Sequence, residues 1–195
     1  FFEKMKKPFA ILTITALMLI VGCGSSIPVD YKPMPVSSGN EFNNFYVKKD
    51  DFRGVDFIRH ISLFDPAMFN TWTRKSFIVY IASQDDNHSI RIQFRYMASD
   101  WVFYDKVILK NEKGEQMVWV MKSWDKTTDV GGGMVYENYD ASLSPVQLSE
   151  LEALLRNGQD IKYRFTGKYY DDFVMPPEVK KGIIRTIEFY RSLFE

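Results

Sequence analysis

Four carboxylates in the second half of the chain come closest to the spacing that hydrolytic chemistry requires. They are Glu137, Asp140, Asp171 and Asp172, and they lie in an aromatic-rich stretch of the sequence. Hydrolysis of glycosidic bonds needs two carboxyl groups that face one cleft. Because neighbouring residues of a strand point to opposite faces, adjacent acids seldom converge. A carboxylate-dependent hydrolase therefore stays an alternative, and solvated turn carboxylates are the favoured interpretation.

Four cations form a second candidate site, in two strand-like segments. Arg91 and Arg95 share one face of the first segment, and Lys162 and Arg164 share one face of the second. If the two strands are neighbours, these side chains could bind an anionic or carboxylate partner. The alternative, which the sequence favours, is cross-strand pairing with Asp and Glu.

Few other residues could carry chemistry. The two histidines, His60 and His88, lie far apart without metal-ligand spacing. The glycines at 131–133 lack the Gly-Lys-Ser/Thr of a phosphate loop, and no Gly-x-Ser-x-Gly elbow is present. We therefore expect no metal, no cofactor and no catalytic residue, which indicates a non-enzymatic protein.

The segment before the only cysteine, Cys23, has the three parts of a secretory signal. Met5-Lys6-Lys7 is basic, residues 9–21 are apolar apart from two threonines, and a small residue precedes the cysteine. The end of this segment, Ile20-Val21-Gly22-Cys23, resembles the lipobox of bacterial lipoproteins. The resemblance implies cleavage before Cys23, lipidation of its sulfur and acylation of the new N-terminus. It therefore implies an exported protein with a membrane anchor.

These features predict three regions along the chain. Residues 1–22 are a lipoprotein signal peptide, 23–41 a lipidated N-terminus with a flexible tether, and 42–195 one folded domain. Gly24 stands where an Asp favours inner-membrane retention in lipoproteins of two-membrane bacteria. The resemblance thus implies the outer membrane if the source has two membranes. Whether translation starts at Met5 stays open.

The charge balance excludes one class of partner. Residues 1–22 hold three of the 25 basic residues and one of the 25 acidic ones, so the mature chain keeps 22 and 24. A net charge so near zero gives no electrostatic argument for nucleic acid, nor for a polybasic membrane contact. The aromatics exceed what one small core usually holds, so a protein or sugar contact surface is one interpretation of some of them, while core packing explains most of them. The candidates are Trp101, Tyr104, Trp119, Trp124, Tyr136, Tyr139, Tyr169 and Tyr170.

Period-two patterns dominate after residue 41 and predict strands. Residues 90–96 and 161–166 alternate strictly between apolar and polar side chains, which is typical of strands with one wet face. Residues 77–81, 102–109 and 117–121 are more continuously apolar, so we expect them to be covered on both faces. Weaker strand patterns lie at 45–49, 55–60 and 134–139. The sequence thus predicts seven to eight mainly antiparallel strands, in a sandwich or a strongly curved sheet.

Two helices complete the predicted α+β fold. Ser144-Pro145-Val146-Gln147 has a capping serine, a proline at the first helical position and a capping-box glutamine. Leucines at 148, 151, 154 and 155 then form a buried stripe that Gly158 ends. The second helix follows Pro176-Pro177 and is C-terminal. Its apolar residues recur at helical spacing from Val179 to Phe194, so we expect it to close the fold.

The order of several motifs in the domain is also informative. They are Asp51-Phe-Arg-Gly54, Arg91-Ile-Gln-Phe-Arg-Tyr96, Asp100-Trp-Val-Phe-Tyr104, Lys162-Tyr-Arg-Phe-Thr-Gly167 and Tyr169-Tyr-Asp-Asp-Phe173. The series resembles a group of uncharacterised bacterial lipoproteins and secreted domains over most of residues 45–195. That group has no assigned activity, so the resemblance implies a fold boundary and no catalytic residue.

The leading hypothesis is a lipid-anchored cell-envelope lipoprotein that binds an envelope protein or polymer and is not an enzyme. One alternative is a carboxylate-dependent hydrolase of envelope polymers. The other is an envelope protein that is encoded by a mobile element and excludes competitors.

Overall fold

Two antiparallel sheets and two helices make up the computed structural model, which describes residues 30–34, 42–64 and 74–195. The predicted α+β class is confirmed, and so is the second helix at the C-terminal end. The lipobox and Cys23 lie outside the described residues, as does most of the predicted tether.

The described residues contain eleven strands. In chain order they are β1 (Lys32–Pro33), β2 (Phe45–Asp50), β3 (Val55–His60), β4 (Arg74–Gln84), β5 (Asn87–Ala98), β6 (Lys106–Asn111), β7 (Gln116–Val120), β8 (Lys126–Gly131), β9 (Met134–Ser142), β10 (Ile161–Thr166) and β11 (Tyr170–Val174). The larger sheet has the order β1-β2-β3-β4-β5-β9-β8, and the smaller sheet has the order β11-β10-β6-β7. Every strand pair is antiparallel, and short hairpins join β2 to β3, β4 to β5, β6 to β7, β8 to β9 and β10 to β11.

The two sheets pack face to face around an aromatic core. The ring centroids of Phe77 and Phe94, on β4 and β5, lie 5.2 Å apart. Trp119 from the smaller sheet reaches Phe94 at 5.4 Å, and Phe165 reaches it edge-on at 6.4 Å. All four side chains are buried, and aromatic pairs in such geometry stabilise a core beyond their burial alone. The predicted sandwich arrangement is therefore confirmed.

Helix α1 (Pro145–Asn157) begins where the sequence predicts. The Ser144 Oγ accepts from the Gln147 N–H, and the Gln147 side chain accepts from the Ser144 N–H, so the capping box forms. The four leucines of the stripe are buried, and the helix ends at Gly158. Local capping and a buried stripe thus act together at this helix.

Helix α2 (Pro177–Ser192) covers the part of the larger sheet that the smaller sheet leaves open. Phe189 packs on Phe45 of β2 with their ring centroids 4.8 Å apart, and Ile183 is fully buried. Gly182 lies where the helix meets the 3-10 turn after β3, and a Cβ there would approach the Ser62 Oγ to 2.0 Å. A glycine inside a helix costs about 1 kcal/mol, and here it permits the close approach.

Some predicted strands differ from the observed ones. The expectation that residues 117–121 are covered on both faces is wrong, because β7 is an edge strand with Val118 and Val120 exposed. Residues 102–105 precede β6 as irregular chain. Strands β1, β8 and β11 have no predicted counterpart, because the first has two residues and the others carry polar side chains that break the apolar pattern. These three strands account for the excess over the predicted seven to eight.

Part of the predicted tether contacts the domain. Lys32 and Pro33 form β1 and pair with β2, and Tyr31 packs edge-on against Phe64 with their ring centroids 4.7 Å apart. The Asp30 carboxylate lies 2.5 Å from the Lys48 Nζ. Lys32 and Pro33 therefore extend the larger sheet by one short edge strand, and Asp30 and Tyr31 add contacts to it. Within the described ranges, no helix combines the length and the apolar character that crossing a bilayer requires.

Candidate interaction site

Two exposed aromatic side chains, one half-buried tryptophan and one exposed lysine form a surface at one end of the smaller sheet. We call Trp101, Phe103, Lys168 and Tyr169 the aromatic platform. The rings of Trp101 and Phe103 stack, with centroids 5.4 Å apart and planes 16° apart. The Lys168 Nζ lies 5.9 Å from the Phe103 ring centroid and 5.4 Å from that of Tyr169. Phe103 and Tyr169 are 47% and 55% exposed, which is unusual for large apolar side chains that lie together.

The backbone of Phe103 is strained. Its φ is +54°, in the left-handed region that bulky residues rarely adopt. Holding a non-glycine residue there costs roughly 1–3 kcal/mol, so surrounding contacts must stabilise it. The platform therefore depends on whatever fixes residues 102–104.

A buried carboxylate fixes that segment. The Glu137 Oε1 accepts the backbone N–H groups of Val102 at 2.9 Å and of Phe103 at 2.8 Å, and its Oε2 accepts that of Tyr104 at 3.0 Å. Three consecutive amides thus converge on one anion, an arrangement that binds anions well in proteins. Glu137 is only 1% exposed, so its hydrogen bonds form in a medium of low dielectric constant.

Lys126 neutralises this carboxylate. Its Nζ lies 3.2 Å from the Glu137 Oε2, donates to the Tyr104 carbonyl oxygen and sits 4.4 Å from the Tyr104 ring centroid. The Tyr104 hydroxyl donates to the Phe94 carbonyl at 3.1 Å, and burial raises the pKa of this phenol. The ion pair therefore connects the strained segment to the core.

The turn between β10 and β11 holds the platform from the other side. The Tyr169 N–H donates to the Val102 carbonyl at 3.2 Å, and the Asp105 N–H donates to the Thr166 carbonyl at 3.0 Å. A Cβ on Gly167 would approach the Phe103 carbonyl oxygen to 2.0 Å. Only glycine fits at this position, because the two backbones lie in direct contact.

The four carboxylates proposed for hydrolysis are each engaged by a cation. Asp140 and Asp172 point outward from different sheets, whereas Glu137 and Asp171 lie on the faces between the sheets. The pairs are Glu137–Lys126 (3.2 Å), Asp140–Arg91 (2.9 Å), Asp171–Lys75 and Asp172–Arg164 (2.5 Å). Paired carboxylates of this kind do not resemble an acid and base that share one cleft.

The four cations of the second predicted site do not come together. Arg91 and Arg95 lie on β5 of the larger sheet, whereas Lys162 and Arg164 lie on β10 of the smaller sheet. The two strands are therefore not neighbours, and both point their core residues between the sheets and their cations to opposite outer faces. Cross-strand pairing with carboxylates occurs at Arg91 and Arg164.

The two histidines have separate structural environments. The His60 Nδ1 accepts from the Ser62 N–H at 3.3 Å, and burial with Arg185 and Lys181 nearby lowers the pKa of His60 to about 4. The His88 Nδ1 lies 2.8 Å from the Ser83 Oγ. In the part of the chain that the structure describes, no group of three or more His, Cys, Asp or Glu side chains could hold a metal ion.

Comparison with known proteins gives no relative. The chain matches no protein-family model, no curated protein and no solved structure. The resemblance to bacterial lipoproteins therefore stays a prediction. Trp101 and Tyr169 are among the aromatic contact candidates that the sequence predicts, whereas Phe103 and Lys168 are not. The only signal for Phe103 is its place in a Trp-Val-Phe-Tyr run, which alternation assigns to a buried strand.

Proposed function

We propose that this chain is a lipid-anchored cell-envelope protein whose domain binds an envelope protein or polymer, without catalysis, through the aromatic platform. The observation that carries the proposal is the strained and exposed Phe103, which a buried ion pair holds in place. A domain gains no stability from holding a large aromatic ring in solvent at the cost of backbone strain. Such strain gathers at functional sites, and clustered aromatics provide most of the energy of many interfaces.

The anchor rests on the lipobox resemblance of residues 20–23. Replacement of Cys23 by Ser removes the only sulfur that could take the lipid. We expect an uncleaved or non-anchored product, which metabolic labelling with a fatty acid and membrane fractionation would detect. An unmodified cysteine at the mature N-terminus of the unaltered protein, found by mass spectrometry, would contradict the anchor.

Binding by the platform is tested by crosslinking from its centre. A photoreactive phenylalanine analogue at Phe103 should give a discrete crosslinked product in intact cells. The matched control is the same analogue at Phe52, which is 98% exposed in the turn between β2 and β3 and has no aromatic neighbour within the described residues. Equal crosslinking from both positions would show that the platform has no partner of its own.

The four carboxylates named for the hydrolase alternative are each paired with a cation and give that alternative no support. Glu137, its most buried carboxylate, has both oxygens occupied by amides and Lys126. Asp171 and Asp172 are each paired within the smaller sheet or across to β4. We therefore assign these carboxylates a structural role.

A further inference from the structure

The outward face of the smaller sheet carries more positive charge than the near-neutral chain indicates. Four cations, which we call the basic sheet face, point to solvent from its two central strands: Lys106, Lys110, Lys162 and Arg164. One carboxylate, Asp172, shares the face and pairs with Arg164. Among the described residues, no ion pair involves the three lysines. The face therefore has a net charge near +3.

The register places like charges side by side. Lys110 and Lys162 are direct cross-strand partners on β6 and β10. Like charges directly opposite each other destabilise a sheet, so this pair costs the isolated domain some stability. An anionic surface against the face would reverse the sign of that contribution.

Exposed apolar side chains on the two edge strands flank the lysines on the same face. Val118 and Val120 on β7 are 43% and 74% exposed, and Tyr170 and Val174 on β11 are 67% and 62% exposed. The Arg164 guanidinium lies 4.7 Å from the Tyr170 ring centroid. Lysines beside exposed aliphatic and aromatic side chains are typical of surfaces that enter the headgroup region of a bilayer.

Among the described residues, the carboxylates at the rim form no ion pair with the lysines of the face. Glu112, in the turn after β6, accepts the backbone N–H groups of Gln159 and Asp160 at 2.9–3.0 Å. Glu115 receives a hydrogen bond from the Asn111 side chain at 2.6 Å. These acids hold the turns together, so the lysines remain available to a partner.

We propose that the basic sheet face docks on an anionic lipid bilayer. The face is an open surface of four strands. An anionic bilayer would pair its headgroups with the lysines and also cover the neighbouring valines. A soluble polyanion would pair with the lysines but leave the valines in water. Each lysine near an anionic membrane contributes roughly fivefold to binding. This inference goes beyond the binding role of the platform and holds whether or not the platform has a partner.

The experiment measures local protection on vesicles with the full chain. Its residues 9–21 are apolar and are expected to insert into any bilayer, so total binding is not the readout. We compare acetylation rates of single lysines on phosphatidylcholine vesicles and on vesicles with about one-third phosphatidylglycerol. Lys106, Lys110 and Lys162 should react several-fold more slowly on the anionic vesicles. Lys49 and Lys181, exposed on β2 and α2, serve as internal controls.

Salt and substitution provide two further readouts. The protection should disappear at about 1 M salt, where the Debye length is about 3 Å. A Lys110→Gln/Lys162→Gln variant should lose the protection of Lys106, and a Lys49→Gln/Lys181→Gln variant should keep it. Equal rates on both vesicles, or protection shared by the control lysines, would overturn the proposal. Protection by soluble polyphosphate but not by anionic vesicles would also overturn it, in favour of a polyanionic polymer.

Discussion

Replacement of Glu137 by Gln tests whether a buried ion pair holds the aromatic platform. Glutamine keeps the size of the side chain but removes the charge that three amides and Lys126 share. The amide nitrogen of the new glutamine is itself a donor, so it must replace one acceptor oxygen that now faces backbone N–H groups or the Lys126 Nζ. Lys126, whose side chain is 8% exposed, also loses its counter-charge. Removing one partner of a buried pair costs about 3–5 kcal/mol, a large part of the typical 5–15 kcal/mol stability of a domain.

The expected result is a lower melting temperature. For a chain of this size, each kcal/mol shifts the midpoint by about 2–4 °C, so a loss of about 3–5 kcal/mol in Glu137→Gln should lower it by roughly 6–20 °C. The matched control is Asp172→Asn, which breaks a carboxylate–cation pair whose side chains are 54% and 47% exposed. Exposed pairs contribute at most about 1 kcal/mol, so the control should shift the midpoint by less than about 4 °C.

A double variant separates the pair from general damage. In Glu137→Gln/Lys126→Met the unpaired buried charge is gone, so part of the lost stability should return. Thermal melts of the full chain, followed by circular dichroism, measure all four proteins. If Glu137→Gln melted with the Asp172→Asn control, the ion pair would not support residues 102–104, and the argument for the platform would fail.

Three further outcomes follow from the structure. Burial lowers the pKa of His60 to about 4 from 6.5, so the neutral ring favours the folded state above pH 6.5, and this stability, about 3 kcal/mol, is lost as pH falls toward 4. In urea titrations between pH 4 and 6.5, His60→Gln should therefore show a flatter pH dependence, and an unchanged slope would contradict the burial argument. Ile183→Asp places an unpaired charge on the buried face of α2 and should lower the free energy of unfolding by several kcal/mol. The control, Val146→Asp, changes a side chain that is 67% exposed and should lower it little. Equal melting temperatures for the two variants would show that α2 is not docked. In Gly167→Ala the new Cβ would lie 2.0 Å from the Phe103 carbonyl oxygen, so the backbone at Phe103 must shift. The variant should therefore lose crosslinking from Phe103 and melt at a lower temperature. Crosslinking at the wild-type level would refute the inference that this turn fixes the platform.

Local signals predicted the helices and the half-buried strands. The capping box at Ser144 and Gln147 acts within four residues, so the sequence alone specifies where α1 begins. Strict alternation at residues 90–96 likewise marks a strand with one core face, and the structure buries Ile90, Ile92, Phe94 and Tyr96. Short-range patterns suffice wherever one element decides its own conformation.

Long-range pairing decided what the sequence could not show. Lys106, Lys110 and Lys162 come from two strands some fifty residues apart, so their common face depends on the partner order of the smaller sheet. Phe103 points outward because Glu137, on a strand of the other sheet, accepts a hydrogen bond from its backbone N–H. Neither arrangement leaves a periodic pattern in the sequence. An apolar run such as residues 102–109 predicts a buried strand unless the sheet order is known.

The short edge strand β1 limits how far the domain can move from its proposed anchor. Nine residue steps separate Cys23 from Lys32, the first residue that pairs with the sheet, and a fully extended chain covers about 30 Å in that length. A domain of this size has a radius of gyration of about 15 Å, so the segment between Cys23 and Lys32 is shorter than the diameter of the domain. An acylated Cys23 would therefore confine every face of the domain to a thin layer above the bilayer. In that layer the effective concentration of lipid headgroups is high enough for a weak contact to be occupied most of the time.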